Sequence, residues 1–81
     1  MGKQDEKLIQ KIEKRPYGHN ITYEELEKYY ILYGFFPEKQ NGTSHVQFKN
    51  RETGKRVTVK KKSPVKPSYI KEAVRIVHED E

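Results

Sequence analysis

The segment Gly42-Thr43-Ser44-His45-Val46-Gln47-Phe48 puts one imidazole at the mouth of an alternating stretch, straight after a glycine-containing turn. An imidazole titrates near pH 6.5, roughly, so it can take and return a proton under neutral conditions. Two hydroxyl side chains, Thr43 and Ser44, precede it, and lysines and arginines crowd the sequence that follows. That combination suits proton transfer beside a bound polyanion. An RNA strand brings its own nucleophile, the 2′-hydroxyl, so the protein needs only a base, positive charge for the developing phosphorane and a proton for the departing 5′-oxygen. His45 is the candidate base. Lys49, Arg56 and Lys60 are candidates for the charge, and Thr43 and Ser44 for orienting the phosphate. By residue type alone, a histidine at a strand start is most often only a polar surface residue.

The charge distribution fits a polyanionic ligand and, taken alone, fits a solvated lysine-rich surface equally well. The net charge is +5. Residues 1–38 are nearly balanced, and residues 39–71 hold Lys39, Lys49, Arg51, Lys55, Arg56, Lys60, Lys61, Lys62, Lys66 and Lys71 against Glu52 alone. A basic block between near-neutral and acidic ends is the footprint expected for a phosphate backbone or an acidic partner. The run Lys60-Lys61-Lys62, with Lys66 beyond it, reads as a docking strip, because flexible ammonium groups hold phosphates without reading sequence.

Other reactive residue types carry less. His19 falls between two helical segments and His78 near the end of a third, where a cation complements the helix dipole. Three scattered histidines with no cysteine give no metal-ligand pattern and no disulfide framework, so neither metal nor cofactor is expected. Tyr29, Tyr30 and Tyr33 recur at helical spacing and read as core rather than as a base-stacking platform; Tyr69, beside Lys66, is a peripheral contact candidate.

The elements that must position His45 follow from periodicity. Leu8, Ile9 and Ile12 mark a helix over 5–15 that Pro16 stops. Thr22 and Glu25 form a capping box for a second helix over 23–33, ended by Gly34, with Leu26, Tyr29, Tyr30 and Tyr33 inward. Residues 35–40 suit a strand confined by Pro37 to an edge or bulge. After the Asn41-Gly42 turn, residues 45–49 and 56–60 alternate, joined through a turn containing Thr53-Gly54. Val46, Phe48, Val57 and Val59 then share one face. His45, Gln47, Lys49, Arg56, Thr58 and Lys60 share the other. Pro67 suits the first turn of a last helix whose stripe is Ile70, Ala73, Val74 and Val77. The expectation is an α+β fold in the order α-α-β-β-β-α, a three-stranded antiparallel sheet with all helices packed on its apolar face.

With 81 residues, 32% hydrophobic and 36% charged, the chain is expected to form a single domain over 1–81 with a modest core. No apolar run approaches the roughly 20 residues that span a bilayer and no signal-peptide pattern opens the chain, so no membrane association and a cytoplasmic location are expected.

From Gly34-Phe35 through Gly42-Thr43-Ser44-His45, the hairpin, Arg56-Val57-Thr58-Val59 and Pro64-Val65-Lys66-Pro67, the chain resembles the HicA family of bacterial toxins over roughly residues 22–78. The resemblance implies a fold like a double-stranded-RNA-binding domain, metal-independent endoribonuclease cleavage of mRNA, and neutralisation by a cognate HicB-type antitoxin. It places the family's catalytic histidine on His45 and its following aromatic on Phe48. Val46 stands where many members have a second histidine, and Lys60-Lys61-Lys62 where many have proline and a basic-histidine pair; both departures put more weight on His45. The N-terminal helical region is also longer than in the most compact members. The alternatives are a non-catalytic RNA-binding protein of the same shape, which recognises phosphates and 2′-hydroxyls with no need of His45, and a regulatory protein whose basic face binds an acidic partner.

Overall fold

The computed structural model describes residues 3–15, 20–38 and 44–79. Its elements are α1 (Lys3–Glu13), α2 (Tyr23–Leu32), β1 (Phe35–Glu38), β2 (His45–Asn50), β3 (Arg56–Lys60) and α3 (Pro67–Val77). The fold is α+β in the order α-α-β-β-β-α, and the strands form one antiparallel sheet in the order β1-β2-β3. The Asn41-Gly42 turn, Pro16, Lys39 and His19 lie outside the described residues.

Local chemistry sets the boundaries. The Thr22 hydroxyl accepts from the Glu25 N–H (3.2 Å) and the Glu25 carboxylate accepts from the Thr22 N–H (3.0 Å), so the capping box starts α2 as the sequence requires. Partial burial pushes the Glu25 carboxyl upward, but the Lys11 ammonium at 2.7 Å and the Thr22 N–H outweigh it and hold it below its ordinary value. Gly34, at φ +86, turns the chain out of α2 into β1. In the β2–β3 turn, the Asn50 side-chain oxygen accepts from Glu52 and Thr53 N–H, and Gly54 takes φ +77.

The core gathers on one face of the sheet. Phe48 and Val59 are fully buried, Val57 nearly so, together with Leu26, Tyr29 and Tyr30 of α2 and Ile70, Ala73 and Ile76 of α3. Phe48 is the keystone: the Tyr30 ring stacks on it at 4.9 Å between centroids, and Tyr23 approaches at 6.4 Å. Val65 N–H bonds to the Ile21 carbonyl (2.8 Å) and Tyr23 N–H to the Ser63 hydroxyl (2.9 Å), so the β3–α3 connection is tied to the start of α2.

Three expectations need correction. The first helix runs two residues earlier at each end than periodicity suggests; its early stop follows from Pro16, which disfavours helical backbone in the residue before it. It packs on α2 and α3 rather than principally on the sheet, and Ile12 completes the core from there. In α3, Ile76 is buried with Ile70 and Ala73, whereas Val74 and Val77 are only half-buried at the margin of the stripe.

A polar cluster joins all three helices. The Glu13 carboxylate accepts from the Tyr29 hydroxyl (2.7 Å) and the Tyr33 hydroxyl (3.5 Å) and contacts His78 Nε2 at 2.7 Å. Burial, reinforced by the hydrogen bond to Glu13, raises the Tyr29 hydroxyl pKa well above its ordinary value. His78 therefore has a structural placement.

Candidate nucleic-acid interface

The geometry of the open face follows from the β2–β3 ladder. His45 faces Lys60, Gln47 faces Thr58 and Lys49 faces Arg56. At one end the Lys61 N–H donates to the Ser44 carbonyl (2.6 Å); at the other the Asn50 N–H donates to the Lys55 carbonyl (2.9 Å). Both bonds lie in the same register, so Ser44–Lys61 and Asn50–Lys55 are hydrogen-bonded pairs. By alternation His45–Lys60, Gln47–Thr58 and Lys49–Arg56 are the non-hydrogen-bonded pairs, in which Cα atoms stand about 4.5 Å apart and side chains are closest.

The same alternation explains Pro37. Phe48 turns its backbone groups toward Val57, so its pairing with Pro37 on the other side is the non-hydrogen-bonded kind. The missing proline N–H points away from β2 and no ladder bond is lost. The neighbours of Pro37, Phe36 and Glu38, pair with Lys49 and Gln47 and so share the open face.

His45 is exposed and Lys60 half-buried beside it. Two cations directly opposed on a sheet destabilise it. Lys49 and Arg56 are so opposed, with Arg56 exposed and its Nε 3.8 Å from Glu38 Oε1. At that distance no hydrogen bond forms, and Glu38 Oε1, buried without a hydrogen-bond partner among the described residues, offsets the two cations only in part. The open face thus keeps like charges together instead of separating them, an arrangement that an anionic ligand relieves.

The remaining sequence candidates divide. Lys62 and Lys66 line a small recess with Lys60, Pro64, Val65 and Tyr69, continuing the basic surface away from His45. Lys66 is the N-cap of α3 and provides no side-chain cap, so the positive end of that helix adds to the lysines. Lys61 departs from the group: its ammonium lies 5.8 Å from the centre of the Tyr23 ring, on the helical side. For Ser44, the ladder fixes its backbone carbonyl, which ties the approach to His45 onto the lysine run. Thr43 lies outside the described residues.

Phe36, Glu38 and Arg51 were not singled out from sequence. The signal was present in the Phe35-Phe36 pair, since adjacent strand residues point to opposite faces and one of the two rings must leave the core. Phe35 is buried and Phe36 is 44% exposed. A larger groove of about 470 Å³ lies between α1 and α2, lined by Lys7, Leu8, Lys11, Glu24, Glu25 and Lys28; its lining holds no histidine and mixes both charge signs. Among the described residues, no three His, Cys, Asp or Glu side chains gather closely enough to hold a metal ion, and no helix is long and apolar enough to cross a membrane.

Compared with known proteins, the chain matches no family model, no curated protein and no solved structure.

Proposed function

We propose that the protein is a metal-independent endoribonuclease of the HicA type, a toxin that cleaves mRNA in the cytoplasm with His45 as general acid and base. The observation that carries this reading is the close pairing of exposed His45 with Lys60 on a face that holds like charges together. The α-β-β-β-α order from α2 onward, with the helices on the face opposite His45, is the arrangement that a fold like a double-stranded-RNA-binding domain would need.

In this mechanism the His45 imidazole removes the proton from a 2′-hydroxyl. The 2′-oxygen then attacks the adjacent phosphorus and the bond from phosphorus to the 5′-oxygen breaks. The Lys60 ammonium offsets the charge developing on the phosphoryl oxygens, and protonated His45 returns a proton to the departing 5′-oxygen. Lys49, Arg56, Lys62 and Lys66 hold the strand by its phosphates, with Ser44 and Thr43 completing the approach. A HicB-type antitoxin would inhibit by covering this face, with complementary acidic side chains speeding its encounter.

The test is cleavage of RNA by purified wild type, His45→Ala and His45→Gln. Wild type should leave a 2′,3′-cyclic phosphate and a 5′-hydroxyl, retain activity in EDTA, and spare a strand with 2′-deoxyribose at the scissile position. Both variants should lose about 100- to 10,000-fold in rate, the usual contribution of a general acid–base group, while RNA binding stays within a few-fold. Products ending in 5′-phosphate, or full activity in His45→Gln, would overturn the mechanism. RNA binding without any cleavage by wild type would favour the non-catalytic alternative.

A further inference from the structure

Phe36 has no packing reason to occupy the open face. Its ring stands in an edge strand opposite Lys49, and the Arg51 guanidinium carbon lies 6.0 Å from the ring centre. Together with Pro37 and Glu38, these side chains line a groove of about 380 Å³. The groove therefore joins an exposed aromatic face, a planar cation, an ammonium and one carboxylate.

This mixture selects among ligands. A bare phosphate gains nothing from Phe36 and is repelled by Glu38. An apolar side chain gains nothing from Lys49 or Arg51. A nucleotide uses all four groups: its base stacks on the ring, its phosphate meets the cations, and a base amino group donates to the carboxylate. Lys49 lies four positions along β2 from His45, about 13 Å at roughly 3.3 Å per residue, a distance that an extended single strand covers in a few nucleotides.

We propose that this groove is a base-stacking subsite for single-stranded RNA, with Phe36 as its platform and Glu38 as a selector of bases that carry amino donors, guanine above uracil. The proposal rests on the RNA-cleaving reading of the His45 face and adds to it a place where sequence is read. The incoming base replaces the Arg51 guanidinium on the ring, and the exposed Arg51 side chain then pairs with the adjoining phosphate. Phosphate contacts along the rest of the face position the strand without reading it; this groove is where the identity of a base matters.

The experiment uses 2′-O-methyl oligonucleotides, which bind without offering a 2′-hydroxyl to attack. One series carries a single fluorescent 2-aminopurine in a uridine background, and a second carries a single guanine in its place. Wild type should quench the 2-aminopurine, and Phe36→Ala should abolish that quenching and weaken binding about 5- to 150-fold, the range for losing one base–aromatic stack. Phe36→Tyr should restore both. Glu38→Gln should bring the affinities of the guanine oligonucleotide and the all-uridine strand together while leaving the quenching in place. Circular dichroism should show all three variants folded, because neither side chain is buried. Unchanged quenching and affinity in Phe36→Ala would overturn the subsite and leave the nuclease reading standing. Failure of wild type to bind any of these strands would overturn both. Normal RNA binding by Phe36→Ala with loss of binding to an antitoxin would assign the groove to a protein partner instead, which also overturns the proposal.

Discussion

The two faces of the same sheet obey opposite rules. On the inner face the buried residues of β2 and β3 meet apolar partners: Phe48 under Tyr30, and Val57 and Val59 in one continuous apolar cluster. On the outer face the closest pairs set histidine against lysine and lysine against arginine. The backbone ladder is common to both, so the difference lies entirely in side chains. One face holds the molecule together, and the other keeps a surface that is better satisfied with an anion than without one. Local rules that a sequence breaks while obeying them elsewhere mark functional sites.

The largest effect expected from this contrast separates the faces by substitution. Phe48→Ala removes a fully buried ring and should cost about 3 to 5 kcal/mol, read as a lowered urea midpoint. His45→Ala, at an exposed position three residues earlier in the same strand, should change stability by no more than about 0.5 kcal/mol while removing the proposed RNA cleavage. If both variants lost stability equally, His45 would belong to the core and the face assignment would be wrong.

A smaller effect distinguishes two tyrosines of the inner side. The Tyr29 hydroxyl donates to Glu13, whereas the Tyr30 hydroxyl is buried with no hydrogen-bond partner among the described residues. Tyr29→Phe strands part of a buried polar network and should destabilise by about 1 to 2 kcal/mol. Tyr30→Phe deletes an unsatisfied group and should be neutral or stabilising. Thermal midpoints of the two variants should therefore move in different amounts, and an equal loss would show that Tyr30 has a polar partner in solution.

Much of this architecture was legible because short turns and period-two alternation leave few choices. Once Val46, Phe48, Val57 and Val59 must share a face, His45 and Lys60 must share the other, and the turn closed by the Asn50–Lys55 bond then sets them opposite each other. The capping box fixed α2 in the same way, through two hydrogen bonds that only neighbouring residues make. The placement of α1 was not legible, since Leu8, Ile9 and Ile12 specify a buried stripe without saying whether a sheet or two helices will cover it. A run of three lysines likewise reads as one patch, yet the ladder continues through the Ser44–Lys61 bond and carries the Lys61 side chain to Tyr23. The exposure of Phe36 is not legible from Pro37, which marks an edge strand without saying which phenylalanine of the preceding pair faces water.

Acid should weaken the helical side through the cap of α2. Glu25 has a folded-state pKa below its unfolded value, so its contribution is fully present above the unfolded value, roughly pH 4.3, and is lost as pH falls through the depressed folded value. Thr22→Ala should cost about 1 kcal/mol at neutral pH but keep most of this acid dependence, because the Thr22 backbone N–H and the Lys11 ammonium still hold the carboxylate; Lys11→Gln, which removes the ammonium, should flatten it. Urea midpoints at neutral pH and near pH 3 measure both; an identical acid loss in wild type and Lys11→Gln would detach Glu25 from it.

The smallest expected effect is the sharpest test of the comparison, because its sign differs between stability and function. Lys49→Gln removes one of two opposed cations at a non-hydrogen-bonded position, where like charges are destabilising. The amide preserves much of the stem that covers the sheet, so the variant should be more stable than wild type by a few tenths of a kcal/mol, in the lower part of the range for cross-strand pairs. That gain should shrink as salt screens the repulsion. RNA binding should move the other way: affinity falls, and the slope of log affinity against log salt decreases by about 0.7, the loss of one phosphate contact on a single strand. Equilibrium unfolding at two salt concentrations and a binding titration over the same range give both quantities. A variant that lost stability as well as affinity would show that Lys49 supports the sheet through packing, and the opposed charges would then have no role in readying this face for RNA.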